Sequence, residues 1–127
     1  MTNTKQNKEF EIWAMKHLLR IQKELLLEDY YPLTLNYGCE NSEASAECKV
    51  AYPYKTITIG YSDSLVKDWS NGKKDYVIAV LTHEMCHVVT DPFYIKAISR
   101  YAGRDEMEQE RERLTDHIAN VIIKIKL

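Results

Sequence analysis

His83 and His87 stand four residues apart, with Glu84 directly after the first, in the run His83-Glu84-Met85-Cys86-His87. On a helix, side chains four apart share a face one turn above the other, so both imidazoles can reach a single ion. Glu84 is turned from His83 by about 100°, which lets its carboxylate meet a water held beside that ion. Zinc takes neutral imidazole nitrogen at about 2.0–2.1 Å, and a catalytic zinc keeps one position for water. The H-E-x-x-H pattern therefore points to one zinc per chain, held by His83 and His87. Glu84 is the general base.

The segment that carries this pattern must be a helix for the argument to hold. Residues 73–90 contain neither Gly nor Pro, and Asp75 suits a first turn, where a carboxylate meets the positive end of the helix dipole. Val77, Ile78, Leu81, Met85, Val88 and Val89 recur at three- and four-residue steps and form an apolar stripe. A surface helix that merely happened to hold these letters would not need that stripe. Two histidines on a mostly buried helix need hydrogen bonds or a metal. Asp91-Pro92 is expected to stop the helix, because the residue before a proline is pushed out of the α region.

A catalytic zinc wants a third protein ligand. Residues 88–94 show no His-x-x-Gly-x-x-His continuation, which excludes the metzincin arrangement. A glutamate from a later helix is the remaining common solution, and residues 107–125 read as such a helix. Glu112, Thr115, Ala119 and Ile122 share one of its faces, and the small residues among them permit close approach. That face favours Glu112 as the ligand, with Glu108 one turn earlier as the second choice. Asp116, stacked beside Glu112, is placed to accept the other N–H of a ligand histidine. Glu106 and Glu110 point elsewhere, toward solvent. His117 lies about 140° around from Glu112, and Cys86, among apolar neighbours, reads as a packed thiol. If the ligand lies outside this helix, Asp91 is next.

The rest of the chain must hold these two helices together. With 127 residues there is room for one domain, residues 1–127, and a 45% hydrophobic content with net charge −2 fits an ordinary globular protein. No basic stripe suggests nucleic acid as a partner, and no apolar run approaches the roughly 20 residues of a membrane span. Residues 1–9 are polar and do not read as a signal peptide. Three cysteines, none spaced C-x-x-C, imply neither a disulfide framework nor a zinc ribbon, so a reduced cytoplasmic protein is expected. The oligomeric state stays open.

Along the chain, residues 10–27 read as an amphipathic helix with Phe10, Trp13, Ala14, His17, Leu18, Ile21 and Leu25 on its apolar face. A strand is expected at residues 33–37, then a mobile polar loop at 39–47 and strands at 50–54 and 55–61, the first compromised by Pro53. Residues 62–69 suggest a helical turn or loop, and residues 93–101 a short helix closing at Gly103. Leu114, Ile118, Val121, Ile122 and Ile125 are the expected buried residues of the last helix. Helix, small three-stranded meander sheet, motif helix and terminal helix make an α+β domain.

HEMCH at 83–87, Asp91-Pro92, the strand TITIGYS at 56–62 and ERLTDHIA at 112–119 together resemble the small single-domain zinc peptidases of gluzincin type, many of them encoded by phages and prophages. The resemblance covers about residues 50–125 and does not reach residues 1–49. It implies a minimal zincin-like fold, a Glu-x-x-x-Asp helix formed by Glu112 and Asp116, and zinc on His83, His87 and Glu112. It also implies that residues 56–61 are an edge strand that aligns an extended peptide or protein substrate. The expected activity is zinc-dependent peptide-bond hydrolysis, in which zinc lowers the pKa of water from 15.7 toward about 7 and Glu84 takes the proton. Tyr61, Tyr94, Tyr101 and His117 are candidates to assist at the carbonyl oxygen. Two alternatives stand beside this one. One is a non-catalytic zinc-containing regulatory or binding protein of prophage origin, and the other is a peptidase dedicated to one repressor-type partner. A zinc with four protein ligands would favour the first.

Overall fold

The computed structural model describes residues 3–51, 54–98 and 103–126, and shows an α+β arrangement of four helices and a three-stranded sheet. In chain order the elements are α1 (Thr4–Glu24), β1 (Leu33–Tyr37), β2 (Ala46–Ala51), β3 (Thr56–Tyr61), α2 (Asp63–Ser70), α3 (Lys74–Ile98) and α4 (Arg104–Lys126). β3 alternates half-buried and buried positions, and Ile57, Ile59 and Tyr61 on its inner face are fully buried. Phe10, Ala14, Leu18 and Ile21 of α1 meet them, with Leu65 and Val66 of α2 and Val77, Leu81, Met85 and Val88 of α3. The four-residue rhythm on α1 and α3 thus becomes one core against a period-2 strand.

The sheet is mixed, not a meander. Its order is β1-β3-β2, with β1 parallel to β3 (Leu33 opposite Ile57) and β2 antiparallel to it (Ala46 opposite Tyr61). β3 is therefore the central strand, and the expectation that residues 56–61 form an edge is corrected. The most regularly amphipathic strand takes the place with two hydrogen-bonded neighbours, and among the described residues β1 and β2 are the two edges. β2 also begins at Ala46, inside the stretch expected to be a loop, because Ala46 is buried and Ser62 N–H bonds the Ser45 carbonyl at 3.0 Å.

Helix boundaries move as well. α1 starts at Thr4, where the Asn3 side chain accepts the Gln6 N–H at 2.7 Å, and ends at Glu24 rather than residue 27. α3 runs through Pro92 to Ile98 as one helix, so the stop at Asp91 and the separate helix at 93–101 are corrected. The proline removes one backbone hydrogen bond at a cost of about 3 kcal/mol. Burial of Tyr94 against α4 holds the continuation in place. Residues 99–102, where the separate helix was to end, lie outside the described residues.

α4 meets α3 through Thr115 and Ala119, both buried, while Leu114, Val121 and Ile125 expected in the core are 36%, 42% and 70% exposed. The fully buried positions of α4 are held by small side chains, while Ile118, Ile122 and Ile123 are half-buried. Among the described residues no helix is long and apolar enough to cross a membrane.

Gly60 shows how tightly the sheet end is built: a Cβ there would lie 2.5 Å from the Gly38 carbonyl oxygen. Backbone on both sides leaves nothing flexible to yield. Gly60→Ala is expected to destabilise the fold by about 1–3 kcal/mol, the usual cost of forced overpacking, read as a lower urea midpoint with unchanged slope. An unchanged midpoint would show that the two strands can separate freely here.

Candidate metal centre

α3 presents His83, Glu84 and His87 on its side facing α4 and β2, with side chains 24%, 14% and 9% exposed. The imidazoles stand nearly perpendicular, at 79°, and their Nε2 atoms approach to 3.1 Å. From α4, Glu112 Oε2 reaches within 3.5 Å of His83 Nε2 and 3.3 Å of His87 Nε2. This oxygen is buried and has no hydrogen-bond partner.

Behind each imidazole stands a carboxylate. Asp116 Oδ1 lies 2.6 Å from His83 Nδ1, and Asp91 Oδ1 lies 2.9 Å from His87 Nδ1. An ionised carboxylate only accepts, so each Nδ1 donates to its carboxylate, and in the neutral ring Nε2 then offers its unshared pair toward the other imidazole and Glu112. Three electron-pair donors, one of them an orphaned carboxylate oxygen, would repel one another without a positive charge among them.

The spacing fits zinc. A tetrahedron with ligands at about 2.0–2.1 Å has edges of about 3.3–3.4 Å. The three edges here are 3.1, 3.3 and 3.5 Å. His83, Glu84 and His87 bring one ligand atom each within 4.8 Å of one another; Glu84 Oε2 stands 3.9 Å from His83 Nε2, against 3.5 Å for Glu112 Oε2. Of the two carboxylates, Glu112 Oε2 is the nearer to His83 Nε2.

Electrostatics separate these roles. Burial pushes the Glu84 carboxyl up to about 7; His87 opposes that shift, and Glu112, Asp91 and Glu47 add to it. For His87, burial disfavours the charged ring, yet the Asp91 hydrogen bond and the charges of Asp91, Glu112 and Glu84 hold its pKa above the ordinary value. A divalent cation competes with that proton for the same nitrogen.

Other expected residues fall elsewhere. Glu108 lines the same cleft but approaches neither histidine as an ion pair among the described residues, while Glu110 pairs with Arg113 at 2.9 Å in solvent. Glu106 and His117 are exposed. Tyr61 donates to Glu11 of α1 at 2.5 Å and packs on Phe10, inside the core and away from the cleft. Tyr94 is covered by Arg111, whose guanidinium carbon sits 4.1 Å from the ring centre. Tyr101 lies outside the described residues. Cys86 is fully buried and its thiol is pushed up to about 12 by burial, as suits a packing group.

Two residues stand at the site in parts other than those the sequence suggests. Asp91, taken for a helix stop, stands four residues after His87 on a continuing helix, the spacing at which it must share that face. Arg111 lies in a charged run, yet its side chain is only 19% exposed and lies between Asp91 and Glu112.

The cluster opens into a cleft of about 320 Å³ bounded on one side by Ala46, Glu47 and Cys48 of the free-edge strand β2. A second hollow of about 340 Å³, mostly apolar, shares His83 and Glu84 with it and is walled by Ala79, Val80, Ala119 and Ile123. Compared with protein-family models, curated proteins and solved structures, the chain shows no match.

Proposed function

We propose that this chain is a zinc-dependent peptide hydrolase of the gluzincin type, with His83, His87 and Glu112 as the zinc ligands. The observation that carries the reading is the convergence of two Nε2 atoms and one carboxylate oxygen at 3.1–3.5 Å, each imidazole backed by its own carboxylate. Zinc there supplies a Lewis acid for the scissile carbonyl and acidifies water. Glu84 is close to the cluster without joining the donor trio, so its carboxylate is free to accept a proton from water and pass it to the leaving amine. Asp91 and Asp116 fix the rings so that Nε2, not Nδ1, faces the cleft.

The substrate is an extended segment of peptide or protein. Since β3 is paired on both sides, the backbone available to align it belongs to β2, whose free edge borders the cleft. The apolar hollow beside Glu84 gives one substrate side chain a place out of water.

The test is hydrolysis of an unfolded protein by the zinc-loaded chain, followed by removal and return of the metal. Cleavage should vanish with a chelator and come back with stoichiometric zinc. Tight zinc binding with no cleavage of any unfolded substrate would overturn the hydrolase reading and leave a zinc-holding binding module.

A further inference from the structure

Arg111 joins the two helices at the point where the cluster is divided between them. Its guanidinium carbon stacks 4.1 Å from the centre of the buried Tyr94 ring of α3. Its Nε stands 3.8 Å from Asp91 Oδ1, the same oxygen that lies 2.9 Å from His87 Nδ1. Its Nη2 stands 3.9 Å from Glu112 Oε1, the oxygen of Glu112 that is not turned to the histidines. The Nε atom is buried and has no hydrogen-bond partner. These separations are those of ion pairs rather than hydrogen bonds.

We infer that Arg111 is a positioning residue that sets Asp91 and Glu112, and through them His87 and the shared metal position. This rests on the zinc reading above. The geometry gives Arg111 two simultaneous tasks. Its charge stands beside Asp91 Oδ1, the oxygen that also meets His87 Nδ1, and so holds that carboxylate in place behind the ring. By drawing on Oε1 of Glu112, it leaves Oε2 as the single oxygen presented to the imidazoles. Tyr94 holds the guanidinium plane still while it does both, a stacking that an ammonium would not reproduce. Four carboxylates, Glu84, Asp91, Glu112 and Asp116, stand around the histidines, and Arg111 is the cation that the ion pairs place among them.

The test uses the full chain and zinc alone, with dissociation constants read by chelator competition and folding checked by circular dichroism. Arg111→Ala should weaken zinc by about 10–100-fold, the range for outer partners of a metal site. Arg111→Met keeps the aliphatic stem over Tyr94 and removes only the charge, so it should show a similar loss and also covers the case in which the alanine variant fails to fold. If Arg111 works through Asp91, adding Asp91→Asn to Arg111→Met should cost less than the sum of the two single losses. Wild-type affinity in folded Arg111→Met would reduce Arg111 to packing and overturn the inference while zinc binding itself stands. Absence of zinc binding in the wild-type chain would overturn both together.

Discussion

Zinc is expected to be lost almost completely from His83→Ala and from His87→Ala, against one ion per wild-type chain. Each substitution removes one of the three proposed protein donors; Cys86 is buried in the core, His117 is exposed, and the Cys48 thiol on the cleft wall is held protonated by burial. Glu112→Ala should fall in the same class, because it takes away the one oxygen that both Nε2 atoms face. All three losses should exceed the roughly 10–100-fold typical of partners behind the ligands, which is where Asp116→Ala and Asp91→Ala should fall. Chelator competition gives the ordering directly. Thermal melts give it again, since zinc at a hundred times its dissociation constant stabilises a folded chain by about 2.7 kcal/mol, and the ligand variants should lose that increment. Normal zinc content in both histidine variants would sink the metal assignment. A severe loss in Glu108→Ala, with Glu112→Ala silent, would place α4 one turn away from its position here.

Glu84→Gln should behave in the opposite way, keeping zinc and fold while losing hydrolysis by about 10²–10⁴-fold, the usual contribution of a general base. The amide has nearly the same shape, and the Glu84 oxygen lies outside the donor trio at 3.9 Å from His83 Nε2, so the ligand set is untouched. An amide cannot take up the proton. The loss corresponds to about 3–5 kcal/mol of barrier, and it should appear in kcat with KM little changed, because ground-state contacts survive. A variant with full activity and full zinc would remove Glu84 from the mechanism and leave the cluster without its base.

How far these residues could be read from the chain depended on where their partners lay. His83, Glu84 and His87 announce themselves because a four-residue step is local, and the same step ties Glu112 to Asp116 on α4. The burial of Thr115 and Ala119 on that face is a packing fact that the small side chains already suggested. Asp91 obeys the same step from His87, but the following proline argued for a helix end, and tertiary packing of Tyr94 overrode that local preference. Arg111 is invisible to any periodicity argument, because its role comes from Tyr94 and Asp91 on another helix. The sheet failed for a similar reason. Strand segments follow from alternation, whereas the pairing of β1 with β3 across the whole of β2 is decided by long-range contact. The long aliphatic residues of α4 misled most: Leu114, Val121 and Ile125 look like a core and face outward.

That last feature bears on how the chain opens. Among the described residues the buried side chains of α4 are Thr115 and Ala119, with Ile118, Ile122 and Ile123 half-buried, so its hold on α3 is shared between small groups and partly covered aliphatic ones. The Thr90 and Thr115 hydroxyls, 2.7 Å apart, add one hydrogen bond across this seam. Glu112 and Asp116, however, both ride on α4, and both lose the histidines when it lifts. An ion shared across the seam would act as a latch, its binding free energy becoming closing free energy for that helix. Zinc availability would then govern how often α4 swings free, and with it the protease sensitivity and amide-exchange rates of the last 23 residues of helix.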